Sequence, residues 1–234
     1  MQTNSRENDE IYLKAIPPLT KEQVIEDYHK RLDRIHAEFL SGLELIEDNP
    51  KSITFFGSAR FKPGSKWYEK ARQLAAKVSK ETGYTIVTGG GPGIMEAANR
   101  GAKEIGGKTI GYTIKLPMEQ SDNPYLDDHR SFNYFFVRKM MLNYSAEAYI
   151  VCPGGFGTMD EFFGILTLVQ TKKIAKVPII LFGKSYWKPM IKFFRKYFLK
   201  KFETISKGDF DDFIITDDMD EIVEIIKHAQ LRDE

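Results

Sequence analysis

The residues best suited to chemistry lie in one glycine-rich run, Pro153-Gly154-Gly155-Phe156-Gly157-Thr158-Met159-Asp160-Glu161. The run follows an apolar stretch and leads into a helical pattern, so it is predicted to be a strand-to-helix turn. Glycines let a ligand approach the main chain, and free N–H groups at a helix start suit a phosphate. The sequence therefore predicts a phosphate-binding turn in which Gly154, Gly155, Gly157 and Thr158 contact the ligand.

Glu161 in this run has two interpretations, one structural and one chemical. Thr158 and Glu161 have the T-x-x-E spacing of a helix capping box, which explains both residues without catalysis. A carboxylate one turn from a phosphate would instead lie close to a ribose joined to that phosphate. Arg138-Lys139 adds a cationic pair just before the preceding strand, where arginine can hold phosphate or carboxylate with two donors. A solvated helix start is the alternative for that pair.

Two other strand-to-helix turns contain glycine. One is Gly57-Ser58, and the other is the run from Gly89 to Glu96, which contains Gly89, Gly90, Gly91 and Gly93. Counted from Gly89 or from Gly91, the sixth residue is not glycine, so the dinucleotide fingerprint GxGxxG fails. The pattern GxxxxGK[ST] does not occur either. These absences argue against a dinucleotide dehydrogenase and a P-loop triphosphatase.

The elements that would position these turns alternate between short apolar runs and helical patterns. Continuous apolar strands imply burial on both faces, which predicts an α/β, Rossmann-like, doubly wound and mostly parallel sheet with helices on each side. Ligands of such sheets bind beyond the carboxyl ends of the strands. The predicted strands are 53–56, 85–88, 109–114, 148–151, 178–182 and 213–215, and the predicted helices are 67–81, 93–105, 137–145, 159–172, 187–200 and 219–230.

The first fifty residues are predicted to be an appendage of the main domain. Residues 1–16 carry little pattern, and Thr20-Lys21-Glu22-Gln23 has the spacing of a helix start. Apolar residues then recur on one helical face until Asn49-Pro50, which is predicted to end the helix. We therefore expect a tail and amphipathic helix in residues 1–50, followed by a nucleotide-monophosphate-binding domain in 51–234.

Composition narrows the range of partners. The 234 residues carry 34 basic and 33 acidic side chains, and the net charge of +1 argues against broad nucleic-acid binding. The single cysteine, Cys152, lies in an apolar run and is predicted to be a buried, inert thiol. Because no apolar leader or long apolar stretch occurs, we expect a cytoplasmic protein with no membrane association.

The sequence resembles the Lonely Guy (LOG) family, the cytokinin riboside 5′-monophosphate phosphoribohydrolases that are often labelled lysine decarboxylases. The family motif PGGxGTxxE is intact from Pro153 to Glu161, and its arginine-lysine pair matches Arg138-Lys139. The resemblance covers roughly residues 51–230. Glu96 stands where short plant-type members have glycine, and residues 1–50 and 116–132 are extra, as in the longer bacterial branch.

The resemblance implies hydrolysis of the N-glycosidic bond of AMP or a cytokinin riboside monophosphate, giving free base and ribose 5-phosphate. It implies that Arg138 and Glu161 are catalytic, that no metal or cofactor is required, and that the protein is a homodimer or larger. Two alternatives remain: a non-catalytic nucleotide or molybdenum-cofactor binder of the same fold, and ribosyl transfer instead of hydrolysis. The substrate-binding residues expected outside the Pro153–Glu161 run are Gly57, Ser58, Gly89, Gly90, Gly91, Gly93, Glu96 and Lys139.

Overall fold

Seven parallel strands form one sheet in the computed structural model, which describes residues 20–116 and 122–229. Their order across the sheet is β4-β3-β2-β1-β5-β6-β7, and every neighbouring pair is parallel. The predicted α/β, Rossmann-like fold is confirmed. The strands are β1 (Ser52–Phe56), β2 (Thr85–Thr88), β3 (Thr109–Ile114), β4 (Asp128–Phe132), β5 (Ala148–Val151), β6 (Ile179–Phe182) and β7 (Ile214–Thr216).

Helices connect the strands and lie on both faces of the sheet. α6 continues directly into a π-helical segment, Arg195–Lys201, and a short 3₁₀ helix, Lys207–Asp211, precedes β7. The α-helices of the described residues are α1 (Lys21–Glu47), α2 (Lys66–Thr82), α3 (Ile94–Glu104), α4 (Phe135–Tyr144), α5 (Phe156–Gln170), α6 (Lys184–Phe194) and α7 (Met219–Lys227).

The central strands are buried because each of their two faces packs against helices. Alternate residues of β1 point to opposite sides of the sheet. Ile53 and Phe55 belong to the core beneath α2, α3 and α7, whereas Phe56 stacks on Tyr149 of β5 with ring centroids 6.0 Å apart. Burial on both faces explains why these strands are apolar throughout rather than alternating.

Several element bounds differ by a few residues from the sequence-based expectation, and two differences matter most for the fold and the site. β4 was not predicted, because Asp128, His129, Arg130 and Ser131 are polar and only Phe132 of the strand is buried. As the edge strand beside β3, it needs only one paired side. α5 begins at Phe156, three residues before the predicted start at Met159, so most of the glycine-rich run belongs to the first turns of a helix.

The order of the strands places a crevice beside β1. The chain builds outward from β1 through β2 and β3 to β4, then returns to the opposite side of β1 with β5. β1 pairs with both neighbours along its length, with Ile53 opposite Ile86 of β2 and Ala148 of β5. At such a switch point the connections leaving adjacent strands diverge, and ligands bind between them. The glycine turns after β1 and β5 flank this point.

The chain divides into two units after Ala37, within α1. In the second unit, the Glu38 carboxylate accepts hydrogen bonds from the Asn133 main-chain N–H at 2.9 Å and from Asn133 Nδ2 at 2.6 Å. Leu45 is buried in the same unit. No helix within residues 20–116 and 122–229 has the length and apolar character needed to cross a membrane.

Candidate active site

A cavity of about 1020 Å³ lies at the carboxyl ends of the strands, at the switch point beside β1. The turns after β1, β2 and β5 all contribute to its wall. α4 contributes Arg138, and α6 contributes Tyr186 and Met190. Of the residues predicted to form the site, Gly57, Ser58, Gly89, Gly91, Arg138, Gly154, Gly155, Gly157, Thr158 and Glu161 line the cavity.

The glycine-rich turn after β5 presents free main-chain donors. Gly155 is the N-cap residue of α5, and no side chain caps this end of the helix. The N–H groups of residues 154–158 donate to no acceptor in the described part of the chain. The Thr158 hydroxyl lies against Gly154 and adds a further polar group. Free N–H groups and the positive end of the helix dipole together suit an anion such as a phosphate.

The capping-box interpretation of Thr158 and Glu161 is wrong. Because α5 already begins at Phe156, Thr158 is the third residue of the helix and cannot be its N-cap. Glu161 lies a further turn along, and its side chain forms no hydrogen bond with the N-terminal end of the helix. A capping role therefore does not explain the Glu161 carboxylate, and its position in the cavity wall needs another explanation.

The Glu161 carboxylate is buried and incompletely paired. Its side chain is 13% exposed, and Oε1 lies 3.9 Å from Nη1 of Arg138, which is close enough for charge attraction but too long for a hydrogen bond. Oε2 is buried and has no hydrogen-bond partner among the described residues. Burial raises the pKa of Glu161 above its ordinary value, against the lowering effect of the nearby Arg138 and Lys139. A carboxylate poised in this way can accept a proton or stabilise a cation.

Arg138 stands opposite Glu161 and is held by the sheet. Its Nε donates to the Tyr112 carbonyl of β3 at 2.6 Å, and its guanidinium packs so closely on Gly89 that a Cβ at that position would overlap it. The side chain is 14% exposed, and burial lowers its pKa while the Glu161 carboxylate raises it. Its other N–H groups form no hydrogen bond within the described residues, so they can bind a ligand.

Lys139, the neighbour of Arg138, lies outside the cavity wall and ties two helices together. Its Nζ contacts the Asp160 carboxylate at 2.7 Å and donates to the Asp160 carbonyl oxygen at 2.8 Å. These contacts join α4, which carries Arg138, to α5, which carries Glu161. Lys139 therefore fixes the spacing of the two candidate catalytic residues instead of facing a ligand.

Three more predicted site residues, Gly90, Gly93 and Glu96, also lie outside the wall. Gly93 has a φ of 72°, and a Cβ there would overlap the Ser58 carbonyl oxygen, so glycine allows the first and second turns to pack together. Glu96 points elsewhere and accepts a hydrogen bond from the Tyr68 hydroxyl at 2.7 Å. In the described structure these residues contact other parts of the protein and so help to hold the turns in place.

Asn123 holds the second glycine turn and was missed by the sequence analysis. Its Nδ2 donates to the carbonyl oxygens of Gly90 and Gly91 at 3.0 and 3.1 Å, and to Oδ1 of the buried Asn99 at 3.0 Å. The main-chain N–H of Asn123 also donates to the Gly90 carbonyl at 2.8 Å. The extra segment of residues 116–132 thus supplies a clamp on this turn. Asn123 lies 33 residues after Gly90 in the sequence, so no local pattern indicates the contact.

Comparison with known proteins identifies the family. The family described as "Possible lysine decarboxylase" matches residues 95–226, more than half of the chain. The chain belongs to this family. The match begins just after the glycines of the second turn and includes Arg138 and the whole of the Pro153–Glu161 motif, and it confirms the resemblance to the LOG family.

Curated relatives agree with this membership, and a solved structure shares the fold. The cytokinin riboside 5′-monophosphate phosphoribohydrolase of Rhodococcoides fascians is 26% identical over 149 residues, 62% of this chain and 74% of the relative. The LOG enzyme of the same name from Oryza sativa subsp. japonica is 29% identical over 143 residues, 59% and 57% of the two chains. The molybdenum cofactor binding protein of Rippkaea orientalis shares the fold, with a TM-score of 0.55, 23% identity and coverage of 76% and 95%.

Other reactive groups of the described residues lie away from this chemistry. Cys152 is buried and is not part of the cavity wall, and burial raises its pKa to about 12, so its thiol stays protonated at neutral pH. Within residues 20–116 and 122–229, no three His, Cys, Asp or Glu side chains meet in a group that could hold a metal ion.

Proposed function

We propose that the protein hydrolyses the N-glycosidic bond of a nucleoside 5′-monophosphate to give the free base and ribose 5-phosphate. The observation that carries this proposal is the buried pair of Glu161 and Arg138 in the wall of one cavity, beside a turn with free N–H groups. The names of the relatives from Rhodococcoides fascians and rice support the same reaction.

In this mechanism the turn after β5 binds the 5′-phosphate. The free N–H groups of residues 154–158 and the Thr158 hydroxyl hold the phosphate oxygens, which places the ribose one turn further along α5. Glu161 is the buried carboxylate that lines the cavity in that part of α5. Positioning of this kind turns the attack on C1′ into an intramolecular event.

Cleavage of the C1′–N bond builds positive charge on the ribose. The Glu161 carboxylate stabilises that charge and accepts a proton from the attacking water, whose oxygen bonds to C1′ as the base departs with the electrons of the C1′–N bond. The base takes up a proton as it leaves, and Glu161 then releases its own, so the products are the neutral base and ribose 5-phosphate. The unpaired Oε2 is the oxygen available for this proton. Arg138 uses its free N–H groups on the phosphoribosyl group or on the departing base. A pKa of Glu161 above the ordinary range suits a general base near neutral pH.

The decarboxylase name of the family does not fit these residues. Pyridoxal phosphate chemistry requires a lysine that can form a Schiff base with the cofactor. No lysine within the described residues lines the cavity, and Lys139, the nearest candidate by sequence, is paired with Asp160.

The test is a screen of AMP, GMP, IMP, CMP, UMP and isopentenyl-AMP for released base, with ribose 5-phosphate assayed separately. We expect equal amounts of base and ribose 5-phosphate from at least one nucleotide. Tight binding of a nucleotide without any cleavage would reject hydrolysis in favour of a binding protein. Base exchange that needs an added acceptor base would indicate transfer. The homodimer implied by the resemblance stays a prediction, which light scattering after size-exclusion chromatography tests.

A further inference from the structure

The start of α6 holds the phosphate-binding turn through a hydrogen bond. The Tyr186 hydroxyl donates to the Gly154 carbonyl oxygen at 2.5 Å. Next to it, Nε1 of the fully buried Trp187 donates to the Val151 carbonyl at 3.1 Å, at the end of β5. Trp187 fixes the start of α6 against the strand, so the position of the Tyr186 hydroxyl is fixed as well.

The bond from Tyr186 determines how the next peptide group is oriented. A peptide unit is planar and trans, so its C=O and N–H point in opposite directions. With the Gly154 carbonyl directed at Tyr186, the Gly155 N–H points away from that hydroxyl, and it donates to no described residue. This N–H is one of the donors assigned to the phosphate.

The peptide between Gly154 and Gly155 is the one in this turn with the most freedom to rotate. Both of its residues are glycines, and a Cβ at Gly155 would meet nothing within 4 Å, so packing does not hold that side. A flip of this peptide would present a carbonyl oxygen to the phosphate in place of an N–H. Within the described residues, Tyr186 provides the one side-chain hydrogen bond to the Gly154 carbonyl that opposes the flip.

We propose that Tyr186 is a positioning residue, which orients the Gly154–Gly155 peptide so that the turn accepts a phosphate. It acts through the main chain and takes no part in bond cleavage. The inference rests on the proposed function for the choice of ligand, a sugar phosphate, but not on turnover.

The test compares Tyr186→Phe with the wild type by calorimetric binding of ribose 5-phosphate and of inorganic phosphate. Loss of one neutral hydrogen bond that holds the donor predicts a Kd about three- to tenfold higher for both ligands. With nucleotide substrates KM should rise by a similar factor and kcat should stay within about twofold, because the reacting groups are unchanged. Tyr149→Phe is the matched control, since its hydroxyl also donates to a main-chain carbonyl, that of Asn143, outside the cavity wall.

An NMR spectrum of protein with ¹⁵N-labelled glycine reports on the Gly155 amide directly. A purely structural role of Tyr186 would leave the line width of this signal unchanged. In Tyr186→Phe the Gly155 amide should broaden from exchange between two peptide orientations, and added phosphate should sharpen it again. An unchanged Kd with a sharp Gly155 signal would overturn the inference, as would a wild type that binds neither ligand. A wild type that binds ribose 5-phosphate but cleaves no nucleotide would reject the proposed reaction and leave the Kd comparison decisive for Tyr186.

Discussion

Replacing Glu161 by glutamine tests the chemistry of the site most directly. The change preserves the size and shape of the side chain and removes its charge. Opposite unit charges at the 3.9 Å that separates Glu161 Oε1 from Arg138 Nη1 attract by about 4 kcal/mol at an effective dielectric constant of ~20. A ribosyl cation at a comparable distance would lose the same stabilisation, which corresponds to a roughly 10³-fold fall in kcat.

The same change should leave the fold largely intact. Burial raises the pKa of Glu161, so folding is less favourable with this carboxyl charged than with it neutral. The stability that this carboxyl contributes is therefore present at low pH and is lost as the pH rises from the ordinary value towards the raised one. At neutral pH glutamine removes the free-energy cost of burying a charged carboxylate. It also leaves Arg138 without the negative charge that it faces. Because these effects oppose each other, we expect Tm to change by less than about 3 °C.

The assay is the rate of base release from the best nucleotide across pH, with folding checked by circular dichroism. Wild-type activity should rise with pH through a limb set by Glu161, above the ordinary range of a glutamate, and the variant should lack that limb. Glu104→Gln is the control, since it removes a helical glutamate paired with Arg72 and Arg100 outside the cavity. Wild-type turnover in folded Glu161→Gln protein would refute the catalytic assignment.

Three further changes test the supporting structure. Arg138→Lys keeps the charge but loses the 2.6 Å bond to the Tyr112 carbonyl, so kcat/KM should fall about 10- to 100-fold with the protein still folded; undiminished kcat/KM would show that only charge matters. Gly93→Ala places a Cβ against the Ser58 carbonyl oxygen at a residue with a φ of 72°, so the free energy of unfolding, measured with urea, should fall by about 1–3 kcal/mol. The control Gly106→Ala should lose less, because a Cβ there meets nothing within 4 Å. Tyr112→Phe removes a buried hydroxyl that has no partner among the described residues, so the free energy of unfolding should stay constant or rise, and a fall above about 1 kcal/mol would contradict this.

Local pattern was enough to predict the elements that carry the site. β2, β3 and β5 have the predicted bounds, because their apolar runs are buried on both faces. β4 was not predicted, because an edge strand tolerates polar residues and a polar stretch resembles a loop in sequence. The start of α5 was predicted too late because glycine has a low helix propensity. Gly155 is the N-cap of the helix and Gly157 lies in its first turn, where free N–H groups are useful to a ligand.

Contacts between residues that are far apart in the sequence could not be predicted from the sequence alone. Asn123 clamps a turn 33 residues earlier, and Tyr186 holds one 32 residues earlier. Neither residue stands in a motif, and nothing in the spacing marks either as different from an ordinary surface or core residue. Each contact joins two segments that come together only in the folded protein.

The pairing of Glu161 with Arg138 shows why this edge of the sheet is suited to a reaction. Burial shifts both pKa values towards the neutral forms, and the 3.9 Å gap leaves neither charge compensated by a hydrogen bond to the other. A phosphoribosyl group would supply what each lacks, because its phosphate carries negative charge and its C1′ becomes positive as the bond breaks. The second of these charges exists only in the transition state. Interaction with Glu161 therefore strengthens as the reaction proceeds, which lowers the barrier instead of only tightening substrate binding.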